Sequence, residues 1–198
     1  MTAAVILIDL QKDFFRTEYK DQALADRVAR DLVQNINRLL DASRECHIPV
    51  FLLVTSFKAD GSDRNLRMKD MAVAICLKGT DGETLIPGLN TNDADIFIQK
   101  TRYSAFFNTS LHEELQSRGI DTLILAGVNT HACVRTSAVD AFMRDYRVFI
   151  PEECVASYDL AYHETTLDYL AKRIGMVLDL DEMIQRIKRD DLSFEFFE

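Results

Sequence analysis

Residues 122–142, TLILAGVNTHACVRTSAVDAF, pass from a strand pattern to a helix pattern within a few positions. The apolar run at 123–128 is too short for a helix and is typical of a strand buried on both faces. A helical pattern follows, and Cys133 falls in its first turn. A buried strand followed directly by a helix is the repeating unit of a parallel sheet. The stretch therefore predicts an α/β fold, and it raises the question of whether Cys133 is a small core residue or a reactive thiol.

The rest of the chain repeats this alternation of strand and helix. Further strands are predicted at 3–9, 49–56, 95–100, 147–151 and 175–179. Helices are predicted at 21–46, 109–119, 131–146, 161–173 and 181–189, with a short one at 66–77 in a less regular segment, 57–92. Six strands separated by helices predict a three-layer α-β-α fold with a six-stranded, mostly parallel sheet and right-handed connections. No linker or repeat divides the chain, so residues 1–198 are expected to form a single domain.

Composition argues against several classes of function. The net charge of −9 disfavours general binding to nucleic acid, which needs clustered Lys and Arg. No apolar run approaches the ~18 residues of a membrane span, so we expect a cytoplasmic protein without a membrane partner. The glycine-rich motifs of nucleotide-binding folds are absent from the sequence.

The cysteines and histidines show no disulfide or metal-binding pattern. Cys46, Cys76, Cys133 and Cys154 are widely scattered and form no CxxC pair. The four histidines are equally dispersed, and neither set has the spacing of zinc ligands. We therefore expect free thiols in a reducing compartment for at least three of the cysteines, and neither a cofactor nor a metal ion.

Reactive side chains stand at the ends of three predicted strands. Asp9 closes the first strand, Lys100 closes the strand at 95–100, and Cys133 follows the strand at 121–128. Ligands of open parallel sheets bind beyond the carboxyl ends of the strands, so these side chains are expected at one edge. Each alone has a more ordinary interpretation: a turn residue, a solvated charge and a small core residue, respectively. Their joint position makes a catalytic site a reasonable hypothesis.

The three residue types have complementary chemistry. A cysteine attacks only as a thiolate, and a helix N-terminus favours that form. A neighbouring carboxylate can accept the thiol proton, and an ammonium can stabilise both negative groups. The turn at 127–130, GVNT, could also direct backbone N–H groups at an oxyanion. His131 lies two residues before Cys133 on another helical face, so Asp9 is the better candidate for the base.

Four motifs carry a resemblance to a known family. They are LIDLQKDF at 7–14, KGTDGETLIPGL at 78–89, KTRYSAFFNTSL at 100–111 and GVNTHACV at 127–134. In this order, the motifs resemble those of the isochorismatase-like cysteine hydrolases. That superfamily includes nicotinamidase, N-carbamoylsarcosine amidohydrolase and ureidoacrylate amidohydrolase. The resemblance covers nearly the whole chain and implies the isochorismatase-like hydrolase fold.

The resemblance implies roles for the three residues at the strand ends. Asp9, Lys100 and Cys133 match the catalytic triad of the family. A cis peptide is implied between Val128 and Asn129, in the turn before the nucleophile. The backbone N–H groups of Asn129 and Cys133 are implied to form the oxyanion hole.

Three aromatic residues lie in motifs whose family counterparts approach the substrate. Phe14, Tyr103 and Phe106 are therefore expected to line the pocket, with core packing as the alternative, above all for Phe106. The aromatic and acidic tail at 192–198, LSFEFFE, is expected either to cover a neighbouring surface or subunit interface, or to fray.

Two differences from other members of the family restrict the substrate and the type of bond cleavage that we expect. Nicotinamidases carry an Asp-x-His metal motif soon after the second strand, whereas residues 54–65 here contain Asp60 and Asp63 but no histidine. A metal site of that type, and with it nicotinamide as substrate, is therefore disfavoured. Isochorismatases proper cleave a vinyl ether by acid catalysis without needing the cysteine, so Cys133 favours a hydrolase of C–N bonds.

The resulting hypothesis is a metal-independent cysteine hydrolase that acts on a small amide, carbamoyl or ureido compound through a thioester. Two alternatives stay open: vinyl-ether hydrolysis of the isochorismatase type, and a non-catalytic member that binds a small molecule or a partner protein. A homo-oligomer, dimer or tetramer, is expected from the resemblance.

Overall fold

A computed structural model describes residues 2–16 and 21–194. In these residues it has a sheet of seven strands, and each pair of neighbouring strands runs parallel. The strands are Ala3–Ile8 (β1), Val50–Thr55 (β2), Ile96–Lys100 (β3), Thr122–Val128 (β4), Arg147–Pro151 (β5), Val155–Ala156 (β6) and Met176–Leu178 (β7). Their order is β3-β2-β1-β4-β5-β7, and β6 pairs with β4. Six strands were predicted; β6, with two residues, is too short to produce a hydrophobic pattern.

Helices cover both faces of this sheet. They are Lys12–Arg16 (α1), Gln22–Glu45 (α2), Leu66–Asp70 (α3), Leu111–Ser117 (α4), Arg135–Phe142 (α5), Leu160–Arg173 (α6) and Leu180–Lys188 (α7). Helices α1, α2 and α7 contribute to one hydrophobic core, and α4, α5 and α6 contribute to another on the opposite face. The predicted three-layer α-β-α architecture is confirmed. No helix of the described residues combines the length and the apolar character needed to cross a membrane.

Burial on both faces explains why the sequence of β1 is apolar without interruption. Alternate side chains point to opposite faces of a strand, and all six residues of β1 are buried. The two sets are Ala3, Val5 and Leu7 in one core and Ala4, Ile6 and Ile8 in the other. Since burying a Val, Leu or Ile side chain contributes about 1.5–3 kcal/mol, a polar residue inside this strand would be costly.

The long helix α2 begins and ends where its sequence indicates. Asp21 caps the N-terminus, with its carboxylate accepting hydrogen bonds from the N–H groups of Ala23 at 2.9 Å and Leu24 at 3.3 Å. The buried residues Leu32, Ile36 and Leu39 recur at spacings of three and four, which directs one face of the helix to the core.

The segment 57–92 departs from prediction. The helix expected at 66–77 is wrong in length, since only Leu66–Asp70 is helical. Beyond it the backbone unwinds so that Ile75 packs against the core and the N–H of Cys76 donates to Asp13 Oδ2 at 2.8 Å. An antiparallel bridge joins Gln11 to Leu85. These contacts lay the segment over the carboxyl ends of β1 and β2.

A close contact with α1 requires glycine at position 82. A Cβ atom on Gly82 would lie 2.1 Å from the carboxyl group of Asp13. That carboxyl group is the acceptor for the Cys76 N–H, so the glycine allows segment 57–92 to be fastened to α1.

The C-terminal tail packs on its own chain where it is described. Leu192 is buried, and the ring of Phe194 lies edge-on to Phe149 with 5.6 Å between centroids. The tail therefore begins by covering the core on the α2 and α7 side. The remaining tail residues, 195–198, lie outside the described part of the chain.

Candidate active site

Three side chains from three strand ends meet at the carboxyl edge of the sheet. Lys100 Nζ lies 2.7 Å from Asp9 Oδ2 and 3.5 Å from Cys133 Sγ. The residues are almost fully buried, with exposed fractions of 0% for Asp9, 2% for Lys100 and 4% for Cys133. The sheet order explains the meeting, because β1 lies next to β4 on one side and to β2 on the other, with β3 directly beyond β2.

Asp9 is held by its backbone and by its side chain. Its N–H donates to the carbonyl of Leu53 at 2.9 Å, and its φ of 55° turns the chain sharply at the end of β1. Aspartate tolerates this left-handed conformation better than most residues do. One carboxylate oxygen faces Lys100, and the other accepts a hydrogen bond from Thr55 Oγ1 at 2.7 Å.

Thr55 is a site residue that the sequence reasoning missed. Its hydroxyl donates to Asp9 and accepts from Lys100 Nζ at 3.1 Å, so it bridges the carboxylate and the ammonium. Thr55 is the last residue of β2, and β2 lies between β1 and β3. The strand-end rule that selected Asp9 and Lys100 would also have found it.

Gln11 was also missed, and it fastens β2 to the segment over the site. Its Nε2 donates to the carbonyls of Thr55 and Glu83, both at 2.7 Å. Its Oε1 accepts from the Thr55 N–H at 2.8 Å. A buried glutamine with these partners has no signature in the local sequence, because both partners are distant along the chain.

Lys100 stays protonated in this arrangement. Burial is the largest single effect and lowers the pKa of Lys100, but the interactions with Asp9 and Cys133 together outweigh it and raise that pKa above its usual value. Besides Asp9 and Thr55, the ammonium is within hydrogen-bonding distance of the carbonyl of Arg102, at 3.1 Å, and of Cys133 Sγ.

Cys133 rests as a thiol. Burial and the adjacent Asp9 carboxylate raise its pKa well above the usual value, and the opposing effect of Lys100 is smaller. A proton must therefore leave Cys133 before its sulfur can attack, and Asp9 is the carboxylate beside it.

The turn that carries Cys133 is wider than an α-helical turn. Residues Thr130–Val134 form a single π-helical turn ahead of α5, in which the Val134 N–H donates to the Asn129 carbonyl at 3.2 Å. Ser137 Oγ donates to the carbonyl of Cys133 at 2.7 Å, which ties the turn to α5.

The strand before this turn approaches β1 closely. A Cβ atom on Gly127 would lie 2.1 Å from the carbonyl oxygen of Ile8, so only glycine fits there. The Val128–Asn129 peptide bond that follows is cis.

A cavity opens above Cys133. Its volume is about 550 Å³, counting the space open to solvent at its mouth. The lining residues are Phe14, Thr55, Phe57, Asn65, Arg67, Met68, Val73, Ile75, Lys100, Thr101, Arg102, Tyr103 and Cys133. The Cys133 thiol and the Lys100 ammonium line this cavity, and the Asp9 carboxylate is paired with the ammonium; such a set of groups can perform nucleophilic catalysis on a small molecule.

Comparison with known proteins identifies the family of the chain. Residues 3–182 match the family model described as the Isochorismatase domain. The chain belongs to the isochorismatase family of hydrolases. A curated relative, a probable inactive nicotinamidase from Arabidopsis thaliana, is 35% identical over 148 residues, which are 72% of this chain and 74% of the relative.

Solved structures show the same fold in this family. A cysteine hydrolase from Pseudomonas syringae pv. phaseolicola has a TM-score of 0.85 at 30% identity, covering 94% of this chain and 92% of that one. A nicotinamidase from Bacillus subtilis has a TM-score of 0.78 at 30% identity, covering 90% of this chain and 100% of that one.

In this isochorismatase-family hydrolase, the predicted aromatic residues have different positions. Phe14 and Tyr103 line the cavity. The prediction for Phe106 is wrong: its side chain is buried in the core beneath α4 and α5, with its ring stacked 5.9 Å from that of Tyr146. A motif that lies beside the pocket can direct alternate side chains into the core.

His131 and Asp63, which the sequence analysis considered for catalysis and metal binding respectively, are hydrogen-bonded to other residues. His131 Nδ1 is hydrogen-bonded to Ser157 Oγ at 2.7 Å rather than to Cys133. The Asp63 carboxylate accepts from the Lys58 N–H at 3.0 Å. Within residues 2–16 and 21–194, no three His, Cys, Asp or Glu side chains form a group that could hold a metal ion.

Proposed function

We propose that this chain is a metal-independent cysteine hydrolase that cleaves a C–N bond of a small amide, carbamoyl or ureido compound through a thioester. The observation that carries the proposal is the position of Lys100 Nζ, 2.7 Å from Asp9 Oδ2 and 3.5 Å from Cys133 Sγ, below a small cavity. An acid–base group, a cation and a nucleophile are thereby brought together at the point where a substrate carbonyl can enter.

In the first half of the reaction, Asp9 accepts the thiol proton while Cys133 Sγ bonds to the substrate carbonyl carbon. The carbonyl oxygen becomes an oxyanion, which the N–H groups of Asn129 and Cys133 stabilise. The C–N bond then breaks, and the departing ammonia or amine takes the proton from Asp9. Lys100, which stays protonated, holds the Asp9 carboxylate and offsets the negative charge near the sulfur.

In the second half, water hydrolyses the thioester. Asp9 removes a proton from the water, whose oxygen attacks the thioester carbon through a second oxyanion. The C–S bond breaks, the sulfur takes back a proton from Asp9, and an acid is released. Each proton that Asp9 accepts it also returns, so the site ends in its initial state.

Relatives support both this proposal and its rivals. The solved Pseudomonas syringae relative is a cysteine hydrolase and the Bacillus subtilis relative is a nicotinamidase, an enzyme of amide hydrolysis. The family model bears the name of isochorismatase, for which Cys133 would be incidental. The Arabidopsis relative is a probable inactive nicotinamidase, which favours the non-catalytic alternative.

Release of ammonia from a panel of small amides, carbamoyl compounds and ureas tests the proposal. We expect activity in the wild type, loss of activity in Cys133→Ala, and near-normal activity in Cys154→Ala. Cys154 is a suitable control because it is also a buried free cysteine but lies in the core on the α2 side.

The mass of the protein after the reaction is quenched with acid identifies the covalent intermediate. A substrate that turns over should add its acyl group to Cys133 when the reaction is quenched with acid. Activity that survives Cys133→Ala would instead favour ether hydrolysis. A wild-type protein that releases no ammonia and no ether-cleavage product would favour the non-catalytic alternative.

A further inference from the structure

The charged side chains around the cavity are all cationic. Arg67, Lys100 and Arg102 line it, and no Asp or Glu does so among the residues that the structure describes. The chain as a whole has 32 acidic and 23 basic residues and a net charge of −9. A lining of one sign therefore runs against the average charge of the protein.

The charge of Lys100 is balanced, whereas those of the arginines are not. Lys100 pairs with Asp9, while neither Arg67 nor Arg102 has a carboxylate within 4.0 Å in the described ranges 2–16 and 21–194. The remaining lining side chains are aliphatic, aromatic, hydroxyl or amide groups, apart from Cys133. Arg67 is exposed and Arg102 is half-buried, and both line a largely apolar cavity without a carboxylate partner among the described residues.

Arg102 is oriented for binding by its neighbours. Its Nη1 donates to the carbonyls of Asp63 at 2.8 Å and of Thr101 at 2.7 Å. These two bonds use one nitrogen, and no described residue accepts from Nε or Nη2. The carbonyl of Arg102 accepts from Lys100 Nζ at 3.1 Å, which places its backbone beside the catalytic groups.

Arg67 comes from the short helix α3. Asn65 caps that helix, with its side chain accepting from the Met68 N–H at 2.9 Å. The Arg67 side chain makes no hydrogen bond or ion pair with the residues described. Asn65 and Met68 also line the cavity, so the cap fixes the part of the helix that faces the site.

We infer that Arg67 and Arg102 bind a carboxylate of the substrate, so that the substrate class is a small amide, carbamoyl or ureido compound that carries a free carboxylate. A guanidinium matches a carboxylate in geometry and forms paired, charge-assisted hydrogen bonds with it. Val73 and Ile75 then contact the apolar part of the substrate. This inference rests on the proposed function and adds to it the group that orients the scissile carbonyl toward Cys133.

Matched substrates test the inference by turnover. N-carbamoyl derivatives of apolar amino acids are compared with the same compounds in which the carboxylate is replaced by an N,N-dimethylamide, and ammonia release reports the reaction. We expect kcat/KM for the acids to exceed that for the neutral compounds by about tenfold or more, the value of a hydrogen bond to a charged group. Arg67→Gln and Arg102→Gln should each remove most of that preference.

The control substitution is Arg173→Gln. Arg173 is exposed in the last turn of α6 and does not line the cavity, so its loss should leave the preference for acids unchanged. Arg67→Gln is the more informative of the two test variants, because the Arg67 side chain has no bond to lose within the described fold, whereas Arg102 also fastens two loop carbonyls.

Alkylation tests the same site without turnover. Iodoacetate and iodoacetamide differ in charge and little in size, and exposed Cys46 provides the reference ratio of their rates within the same molecule. We expect Cys133 to favour iodoacetate, relative to Cys46, by about tenfold or more because of the cationic lining. Arg67→Gln should lower this ratio at Cys133 and leave it unchanged at Cys46.

The outcomes separate the two proposals. The carboxylate site is overturned if acids and neutral compounds turn over equally. It is also overturned if Arg67→Gln and Arg102→Gln leave the ratio of iodoacetate to iodoacetamide alkylation rates at Cys133 unchanged. Either result leaves the proposed cysteine hydrolase intact. No ammonia from either set, together with a Cys133 inert to both reagents, overturns the proposed function and the inference with it. A preference for acids that both variants abolish supports the inference.

Discussion

Replacing Thr55 by valine removes one hydroxyl from the centre of the site while keeping the shape of the side chain. That hydroxyl donates to Asp9 at 2.7 Å and accepts from Lys100 at 3.1 Å, and both partners are charged and buried. Lys100 keeps Asp9 and the carbonyl of Arg102 as acceptors, so the main loss falls on the Asp9 carboxylate. A hydrogen bond to a charged group contributes about 1.5–3 kcal/mol, so we expect Thr55→Val to lower the free energy of unfolding by about 2 kcal/mol.

Two assays measure the effects of Thr55→Val. In thermal unfolding, about 2 kcal/mol corresponds to a fall in Tm of about 4–8 °C for a chain of this length. In ammonia release, kcat should fall roughly ten- to a hundredfold, because an Asp9 carboxylate that is displaced by a fraction of an ångström accepts the thiol proton less well. KM should change little, since the cavity keeps its shape.

Thr55→Ser is the matched control. It keeps the hydroxyl and loses one methyl group, which costs about 1 kcal/mol of burial without affecting the hydrogen bonds. The positioning role of Thr55 is refuted if valine is as stable and as active as the wild type, or if serine impairs kcat as severely as valine does.

Three further substitutions follow from the same contacts. Lys100→Met leaves the Asp9 carboxylate buried without its cation, so urea unfolding should show a loss of about 3–5 kcal/mol, and ammonia release should cease. Gly82→Ala places a Cβ 2.1 Å from the carboxyl group of Asp13, so we expect a lower Tm and a higher KM as the segment over the cavity is displaced. Burial lowers the pKa of His131 below its usual value of about 6.5; the unfolded chain therefore binds more protons, and Tm should fall as the pH drops below about 6.5, less so in His131→Asn.

Each of these three predictions has a control. Asp9→Asn added to Lys100→Met removes the unpaired charge and should restore stability without activity; a double variant no more stable than Lys100→Met would contradict the ion-pair argument. Gly119→Ala introduces a side chain at a φ of +63° with nothing within 4 Å, so it reports backbone strain alone and should cost less than Gly82→Ala. An unaltered pH profile of Tm in His131→Asn would show that other groups govern stability in that range.

Most regular elements could be predicted because their signals are local. The buried run of β1 and the spacing of Leu32, Ile36 and Leu39 in α2 depend only on neighbours in the sequence, and both predictions are confirmed. The helix predicted at 66–77 was too long because Ile75 has a contact with the core that outweighs its helical spacing.

The site could be predicted in part. The strand ends predicted that Asp9 and Lys100 lie at one edge of the sheet. Gln11, however, is hydrogen-bonded to Thr55 and Glu83, which are 44 and 72 positions further along the chain, and no local sequence pattern indicates such contacts. Phe106 was misplaced for a related reason: its motif approaches the cavity, but only the folded chain decides which side chains of the motif face it. Long-range contacts of this kind become visible only in the structure.

The two parts of the cavity differ in how freely they can change. Its reactive groups stand at strand ends, where Asp9 and Lys100 are buried and form an ion pair. Its sides include residues 65–75, which contain one five-residue helix and no fully buried side chain. Substitutions there cost little folding energy, since exposed positions tolerate change. Directed evolution of a new substrate preference should therefore begin in this segment, where substitutions can change the substrate selectivity without changing the catalytic residues.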